Sequence, residues 1–361
     1  MLVDDSAVIR GLISRILEQD DDIKIVSTVA NGKSAVDIVK RVKPDIILLD
    51  IEMPVMDGMT ALPLLLKEYP EAKIIICSTL SNKNAEVSLK ALAIGASECI
   101  LKPGSGREMV QQHDFKRDII NLVRTLGGLS PRFVPDTKSF PAPLQEKTPP
   151  AKPENKEPKV ALKAGPLIKN PQVLAIGSST GGPQALFEVL KNFKDFKIPI
   201  LITQHMPKTF TKILANHVFQ NTGIPCHEGE KNMKVEKGSI YIAPGGYHMT
   251  VFKNKQTSEV FLDINEDPPE NFCRPSVDHM LRSVIDVYDG KVLTLILTGM
   301  GYDGLESCRK VVDAGGSVIA QDKNTSVVWG MPGAVANAGL CSEVLPLDKL
   351  GPKIKESVSA Y

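Results

Sequence analysis

Apolar residues over the first 127 positions alternate between compact runs and stripes of helical spacing. Ile9, Leu12, Ile13 and Ile16 fall on one helical face, and residues 35–42, 61–69 (despite Pro63), 86–94 and 107–126 read as further helices. Residues 23–26, 45–49, 73–77 and 98–101 are strand-length runs, preceded by a stub at 1–3. Strand and helix in turn predict an α/β unit with a five-stranded parallel sheet covered on both faces.

The pattern stops near residue 127 and resumes near 171. Between them lie about ten of the 26 prolines, several lysines and few large apolar residues, which predicts a Pro/Lys-rich, extended, mobile linker over 128–170. Residues 171–361 read as a second, doubly wound and mostly parallel α/β unit. Its strands are expected at 173–176, 198–204, 238–243, 292–297 and 316–320, with a hairpin partner at 260–264, a helix over 278–287 and a further helix after 330–335. A chain of 361 residues has room for both units.

Charge and cysteine content narrow the function classes. Lys+Arg 43 against Asp+Glu 42 leaves +1, so no basic face argues for nucleic acid. The six cysteines include no C-x-x-C pair and several lie in apolar runs, as expected of reduced thiols in the cytoplasm. No signal peptide and no membrane-length apolar run is read from the sequence, so no insertion into a membrane is expected.

Candidate chemistry gathers at strand ends. In the first unit Asp4 and Asp5 follow strand one, Asp50 strand three, Ser78 strand four and Lys102 strand five. Open α/β sheets bind ligands beyond these ends, and clustered carboxylates with oxygen donors suit Mg²⁺. In the second unit 173–176 turns through Gly-Ser-Ser-Thr-Gly-Gly into a helical pattern opened by Pro183. The turn fits neither G-x-G-x-x-G, a Walker loop nor G-x-S-x-G. Ser178, Ser179 and Thr180 are its hydroxyls. Ser179, His205 and Asp303 each lie just past a buried run, so parallel strands would bring them to one edge. Acyl transfer needs such a set: a hydroxyl, a base to take its proton, and a carboxylate to orient the base. Backbone N–H groups around Thr180 and Met300 are the candidate oxyanion donors. His248 is the rival base and Asp278 the rival acid, while His217 and His279 follow no buried strand.

Asp4-Asp5, Leu-Leu-Asp-Ile-Glu-Met-Pro-Val-Met-Asp-Gly around Asp50, Ser78 and Lys102-Pro103 resemble a response-regulator receiver domain. That resemblance implies phosphorylation of Asp50 by a sensor histidine kinase, with Mg²⁺ held by Asp5, Asp50 and the backbone carbonyl of Glu52 and with Asp4 close by. Cys99 stands where receivers commonly carry an aromatic switch residue. Gly-Ser-Ser-Thr-Gly-Gly-Pro, Ile-Thr-Gln-His-Met-Pro, Arg-Pro-Ser-Val-Asp, Leu-Thr-Gly-Met-Gly-Tyr-Asp-Gly and Val-Val-Trp-Gly-Met-Pro resemble the chemotaxis protein-glutamate methylesterase family, CheB. The resemblance implies hydrolysis of glutamate methyl esters on methyl-accepting chemoreceptors, deamidation of receptor glutamines, a triad of Ser179, His205 and Asp303, and no cofactor for the esterase step. It also implies that the unphosphorylated receiver packs over the esterase site. A regulator with a non-enzymatic, partner-binding output and a nucleotide-binding output on the glycine turn are the alternatives. The second lacks an acidic ribose-binding residue at suitable spacing.

Overall fold

The computed structural model describes residues 1–79, 81–102, 109–132 and 167–359. Most of the stretch expected as a linker, 133–166, lies outside the described residues, as does Pro103. The N-terminal unit runs β1 (Leu2–Val3), α1 (Ala7–Leu17), β2 (Thr28–Val29), α2 (Gly32–Val42), β3 (Ile46–Asp50), α3 (Gly58–Glu68), β4 (Lys73–Ser78), α4 (Asn82–Ile94), β5 (Glu98–Leu101) and α5 (Met109–Leu126). Its strands are all parallel, in the order β2-β1-β3-β4-β5. Ser6, Asn31, Asp57 and Ser81 each cap the first turn of the helix they precede by accepting a backbone N–H. Pro63 lies inside α3 and is exposed, whereas Leu62 and Leu65 are fully buried on its inner face.

One strand expectation is corrected. Residues 23–26 form no strand, and β2 is the pair Thr28–Val29, in register with Leu2 and Val3. The register explains the shift. Leu2 N–H donates to Ser27 O and Asp4 N–H to Val29 O, so the register of β1 engages residues 27–29 and not 23–26.

The C-terminal unit runs β6 (Val173–Ser178), α6 (Gly182–Leu190), β7 (Ile200–Gln204), α7 (Lys208–Thr222), β8 (Cys226–Glu228), β9 (Ile240–Ile242), β10 (His248–Lys253), β11 (Val260–Asn265), α8 (Val277–Val287), β12 (Val292–Ile296), α9 (Leu305–Asp313), β13 (Ser317–Gln321), α10 (Met331–Asn337), β14 (Glu343–Leu345) and α11 (Leu347–Ser359). Seven strands form a parallel sheet ordered β14-β13-β12-β6-β7-β9-β8, and β10 and β11 form a separate antiparallel hairpin. The central strands are buried on both faces, as all-parallel sheets require.

The two units share an interface. α4 packs on α7 and α6, and one apolar cluster runs from Leu89 and Leu92 of α4 into Leu186 of α6 and Leu214 of α7. The Gln184 amide clasps the end of α4, donating to Leu92 O (3.1 Å) and Ala96 O (2.8 Å).

The turn from β6 into α6 depends on Gly181, whose φ of 75° lies in the left-handed region and whose missing Cβ would sit 2.6 Å from Val327 Cγ2. Both effects oppose a side chain. Gly181→Ala is expected to destabilise the chain by roughly 1–3 kcal/mol, read as a lower midpoint in thermal unfolding. An unchanged midpoint would show that the turn relaxes without cost.

Candidate active site and phosphoacceptor cleft

β12, β6 and β7 are adjacent, so the segments leaving them meet at one edge of the sheet. His205 N–H donates to Ser178 O (3.0 Å) and Ser179 N–H to Thr298 O (3.0 Å), which sets the ends of the three strands level. His205 Nε2 lies 2.8 Å from Asp303 Oδ2. Asp303 is buried and accepts from Ser276 Oγ (2.8 Å), Val277 N–H (2.6 Å), Asn271 Nδ2 (3.0 Å) and Asp278 N–H (3.3 Å). These donors include the unpaired first-turn amides of α8, which favour an anion. Burial opposes charge on Asp303, but the His205 bond and ring charge, Val277 N–H and the Asn271 amide outweigh it. The carboxyl is held well below the usual carboxylate range. Burial also opposes a proton on His205, and the Cys273 sulfur together with Asp303 outweighs it, so the ring's proton affinity is raised.

Of the candidate hydroxyls, Ser178 is fully buried and donates to Gln204 Oε1 (2.7 Å). Gln204 Nε2 donates in turn to Ser179 O (2.9 Å) and His205 O (3.2 Å), tying the backbones of both residues together. Gly182 leaves room for that amide, since a Cβ there would lie 2.0 Å from Gln204 Oε1. Ser179 is half-buried and, among the described residues, its hydroxyl makes no hydrogen bond. Thr180 is buried, and its N–H and that of Met300 have no partner among the described residues.

The rivals are occupied elsewhere. His248 accepts from Ser276 N–H at Nδ1 (3.2 Å), donates to Pro268 O from Nε2 (3.1 Å) and stacks on His279 with ring centroids 4.1 Å apart. Asp278 is buried and receives Ser307 N–H (2.7 Å) and Gly304 N–H (3.1 Å), capping α9. The two aspartates are thus reciprocal: Asp303, just before α9, holds the start of α8, and Asp278, in α8, holds the start of α9. The Asn271 amide bridges them with a 3.0 Å bond to each. Burial and then the Asp303 charge push the Asp278 carboxyl up.

The N-terminal unit reaches this edge. The Glu98 carboxylate at the start of β5 faces the Thr180 hydroxyl and the Gly181 N–H, and burial pushes it up to about 7 despite these donors and Cys99 N–H. Met300 packs against the apolar cluster that holds Ile100, and the Arg117 guanidinium stands 5.1 Å from the centroid of the Phe272 ring.

At the opposite end of β5 lies a polar cleft of about 260 Å³ lined by Asp5, Asp50, Ile51, Glu52, Ser78, Thr79, Asn84 and Lys102. Lys102 Nζ is 2.7 Å from both Asp4 Oδ2 and Asp50 Oδ2. Asp50 Oδ1 accepts Glu52 N–H at 3.4 Å, and Asp4 Oδ1 accepts Ser6 N–H at 2.8 Å. Burial and the charge of Asp4 push the Asp50 carboxyl up against the pull of Lys102. Carboxylate oxygens of Asp4, Asp5 and Asp50 lie within 4.8 Å of one another, an oxygen-only set that fits Mg²⁺. Ser78 Oγ is buried without a hydrogen-bond partner among the described residues, which leaves a donor for an anionic oxygen.

The family model described as CheB methylesterase matches residues 174–354, and that of the response regulator receiver domain matches residues 1–114. The chain is 49% identical to the protein-glutamate methylesterase/protein-glutamine glutaminase of Azospirillum brasilense, over 99% of this chain and 92% of that one. It is also 49% identical to the group 2 operon protein of that description from Rhodospirillum centenum, over 99% and 93% of the two chains. The crystal structure of the Thermotoga maritima CheB methylesterase catalytic domain is 37% identical, with a TM-score of 0.50, and covers 54% of this chain and 100% of that one.

Sequence reasoning missed several residues of the site. Gln204 stood inside a noted motif, but nothing marked its amide as the tie between Ser179 and His205. Asn271 and Cys273 come from an irregular loop with no period to read. The loop carries Asn271 and Phe272 at φ 52° and 62°, an uncommon pair for side-chain-bearing residues, and so turns Cys273 Sγ to within 3.5 Å of His205 Nδ1. Because Nε2 is taken by Asp303, Nδ1 is the nitrogen left for a proton transfer. A base must be neutral to act, and Cys273 favours the charged ring. The acid limb of kcat/KM is therefore expected above the ordinary imidazole range, and Cys273→Ala is expected to move it to lower pH. A pH–rate profile of both chains checks this, and an unmoved limb would show that the sulfur has no influence on the base.

Proposed function

Because this chain belongs to the CheB methylesterase family and carries a receiver domain ahead of the esterase domain, we infer that it removes methyl esters from glutamate side chains on the cytoplasmic helices of methyl-accepting chemoreceptors. Methanol is released, and certain receptor glutamines are deamidated at the same site. The observation that carries this reading is the convergence of Ser179, His205 and Asp303 at the ends of three neighbouring parallel strands, with the His205–Asp303 pair already formed. A purely partner-binding output offers no reason for that pair.

In this reading Ser179 Oγ attacks the ester carbonyl as its proton passes to His205 Nδ1. Asp303 fixes the ring and stabilises the imidazolium. The oxyanion is received by amides near Thr180 and Met300. His205 returns the proton to methanol, and water then releases the glutamate carboxylate. Asp278 is assigned to the fold rather than to the chemistry.

Asp50 is the proposed phosphoacceptor for a chemotaxis-type histidine kinase in the cytoplasm. Among the described residues no helix is long and apolar enough to cross a membrane. Asp5, Asp50 and the Glu52 carbonyl would hold Mg²⁺, with Asp4 beside them. Bound there, the ion would supply neutralisation of charge on an entering phosphoryl group. Lys102 and Ser78 would bind phosphoryl oxygens, which draws Lys102 from its present bonds to Asp4 and Asp50. Lys102 and Glu98 are joined by β5 and lie about 13 Å apart at strand rise. A change at the cleft is thereby passed to the esterase edge.

Ser179→Ala is expected to remove nearly all methanol release from a methylated receptor fragment, and Asp303→Asn to lower it by up to about four orders of magnitude. Ser178→Ala leaves the Gln204 carbonyl without its donor and should cost about 1–3 kcal/mol of stability with a milder loss of rate. If Ser178→Ala is the inactive variant and Ser179→Ala is not, the nucleophile is misassigned by one residue.

Asp50→Asn is expected to abolish both labelling by a small-molecule phosphodonor and the stimulation of methanol release by that donor. Stimulation that persists in this variant would place the acceptor elsewhere.

A further inference from the structure

We propose that His205 Nδ1 and Cys273 Sγ chelate a soft divalent cation of the Zn²⁺ class, and that this ion switches the esterase off by taking the lone pair that receives the serine proton. The inhibition rests on His205 being the esterase base; the chelate itself does not. Donor atoms of His205, Cys273 and Asp303 lie within 4.8 Å of one another, and Nδ1 and Sγ are 3.5 Å apart. Zinc bonds of about 2.1 Å to nitrogen and 2.3 Å to sulfur, opened to the tetrahedral angle, set two donors roughly 3.5–3.6 Å apart. Ring and thiol thus have the spacing of two corners of a zinc tetrahedron.

Asp303 takes the outer role. Its carboxylate is engaged by His205 Nε2 and by the Val277 and Asp278 N–H groups at the start of α8. It therefore holds the ring with Nδ1 free, the usual arrangement of a metal-bound imidazole backed by a carboxylate. The thiol is held as firmly. Cys273 and Glu270 exchange backbone hydrogen bonds (2.8 and 3.1 Å), and both Glu270 carboxylate oxygens accept from the Arg282 guanidinium of α8 (2.7 and 2.6 Å). Both donors are positioned from one helix, so little ordering is left for the ion to impose. Cys273 is also reachable, being half-buried where Cys77, Cys226, Cys308 and Cys341 are buried. Two protein donors leave the other corners to water, which suits a reversible inhibitor and not a structural ion. Donor chemistry sorts the cations: the oxygen set at Asp4, Asp5 and Asp50 suits Mg²⁺, whereas sulfur and imidazole select Zn²⁺ or Co²⁺. Binding sends one proton from the Cys273 thiol to solvent, and His205 coordinates as the neutral ring.

The experiment uses the full-length chain, with excess Mg²⁺ to fill the acidic cleft and no added thiol to compete for the softer ion. Titration with Co²⁺ is expected to raise a thiolate-to-metal absorption band that saturates at one equivalent and is displaced by Zn²⁺. The band should be absent from Cys273→Ser, which keeps the other five of the six cysteines. A thermal unfolding midpoint near that of the wild type certifies that this variant is folded, so the cobalt titration stands whatever its activity. Methanol release from a methylated receptor fragment, stimulated by a phosphodonor, is then measured at free Zn²⁺ about ten times the dissociation constant read from the displacement. The wild-type rate is expected to fall about tenfold. It should return on adding a nitrogen-donor chelator that takes Zn²⁺ and leaves Mg²⁺. Cys273→Ser, compared with itself before and after Zn²⁺, is expected to keep its rate. No band, or the same band in Cys273→Ser, overturns the site. Undiminished methanol release from the metal-loaded wild type, or equal inhibition of Cys273→Ser, overturns the switch. Full activity of metal-free His205→Gln would instead overturn the esterase reading itself.

Discussion

The Asp303 carboxylate is placed where a lone charge would be unaffordable, 3% exposed and close to a second buried aspartate. It persists because Ser276 Oγ, the first amides of α8, the Asn271 side chain and the His205 ring all point at it. The donors come from the 271–278 segment and from His205, so the charge fastens that segment to the end of β7. Removing it would leave several buried donors and one imidazole unpaired, a loss of about 3–5 kcal/mol for breaking such a pair. Asp278 does the reverse service for α9, and the shared Asn271 amide keeps the two carboxylates at a fixed spacing. The division of labour follows from direction. The Asp303 carboxylate meets His205, whereas the Asp278 carboxylate meets the amides of Gly304 and Ser307 and the Asn271 side chain.

The interface between the domains obeys a similar balance. Apolar contact of α4 with α6 and α7 supplies undirected attraction, while Gln184 and Glu98 supply the direction. Burial of Glu98 at this contact raises its proton affinity. β5 joins this contact to the phosphoacceptor cleft. Its one end carries Glu98, and Lys102, just past the other, is shared between Asp4 and Asp50. A phosphoryl group on Asp50, as proposed, would compete for Lys102 at short range, next to a strand hydrogen-bonded to β4 along its length.

Much of this was legible from periodicity and local chemistry. Compact apolar runs marked the buried parallel strands, because a strand covered on both faces must be apolar throughout. Polar residues at the ends of those runs had to meet once the strands were parallel, which brought Asp4, Asp5, Asp50, Ser78 and Lys102 to one cleft and Ser179, His205 and Asp303 to one edge. The strand expected at 23–26 was misplaced because an apolar pattern reports a tendency to pair but not the register of the pairing, which falls on Thr28–Val29. The short strands β8 and β14, with few apolar residues each, carried too little pattern to be read.

What the sequence alone determined is therefore the sheet, its topology class and the residues that any parallel arrangement must gather at its edge. Only the tertiary structure decided which histidine is free to act, because His248 is excluded by bonds to Pro268 and Ser276 that lie far from it in sequence. Only the tertiary structure turned Cys273 to the base, through a left-handed loop without periodicity, and carried Glu98 from a strand start to the esterase turn. Those contacts join residues up to dozens of positions apart through side-chain direction, and one-dimensional pattern carries no record of where a side chain points once the elements have packed.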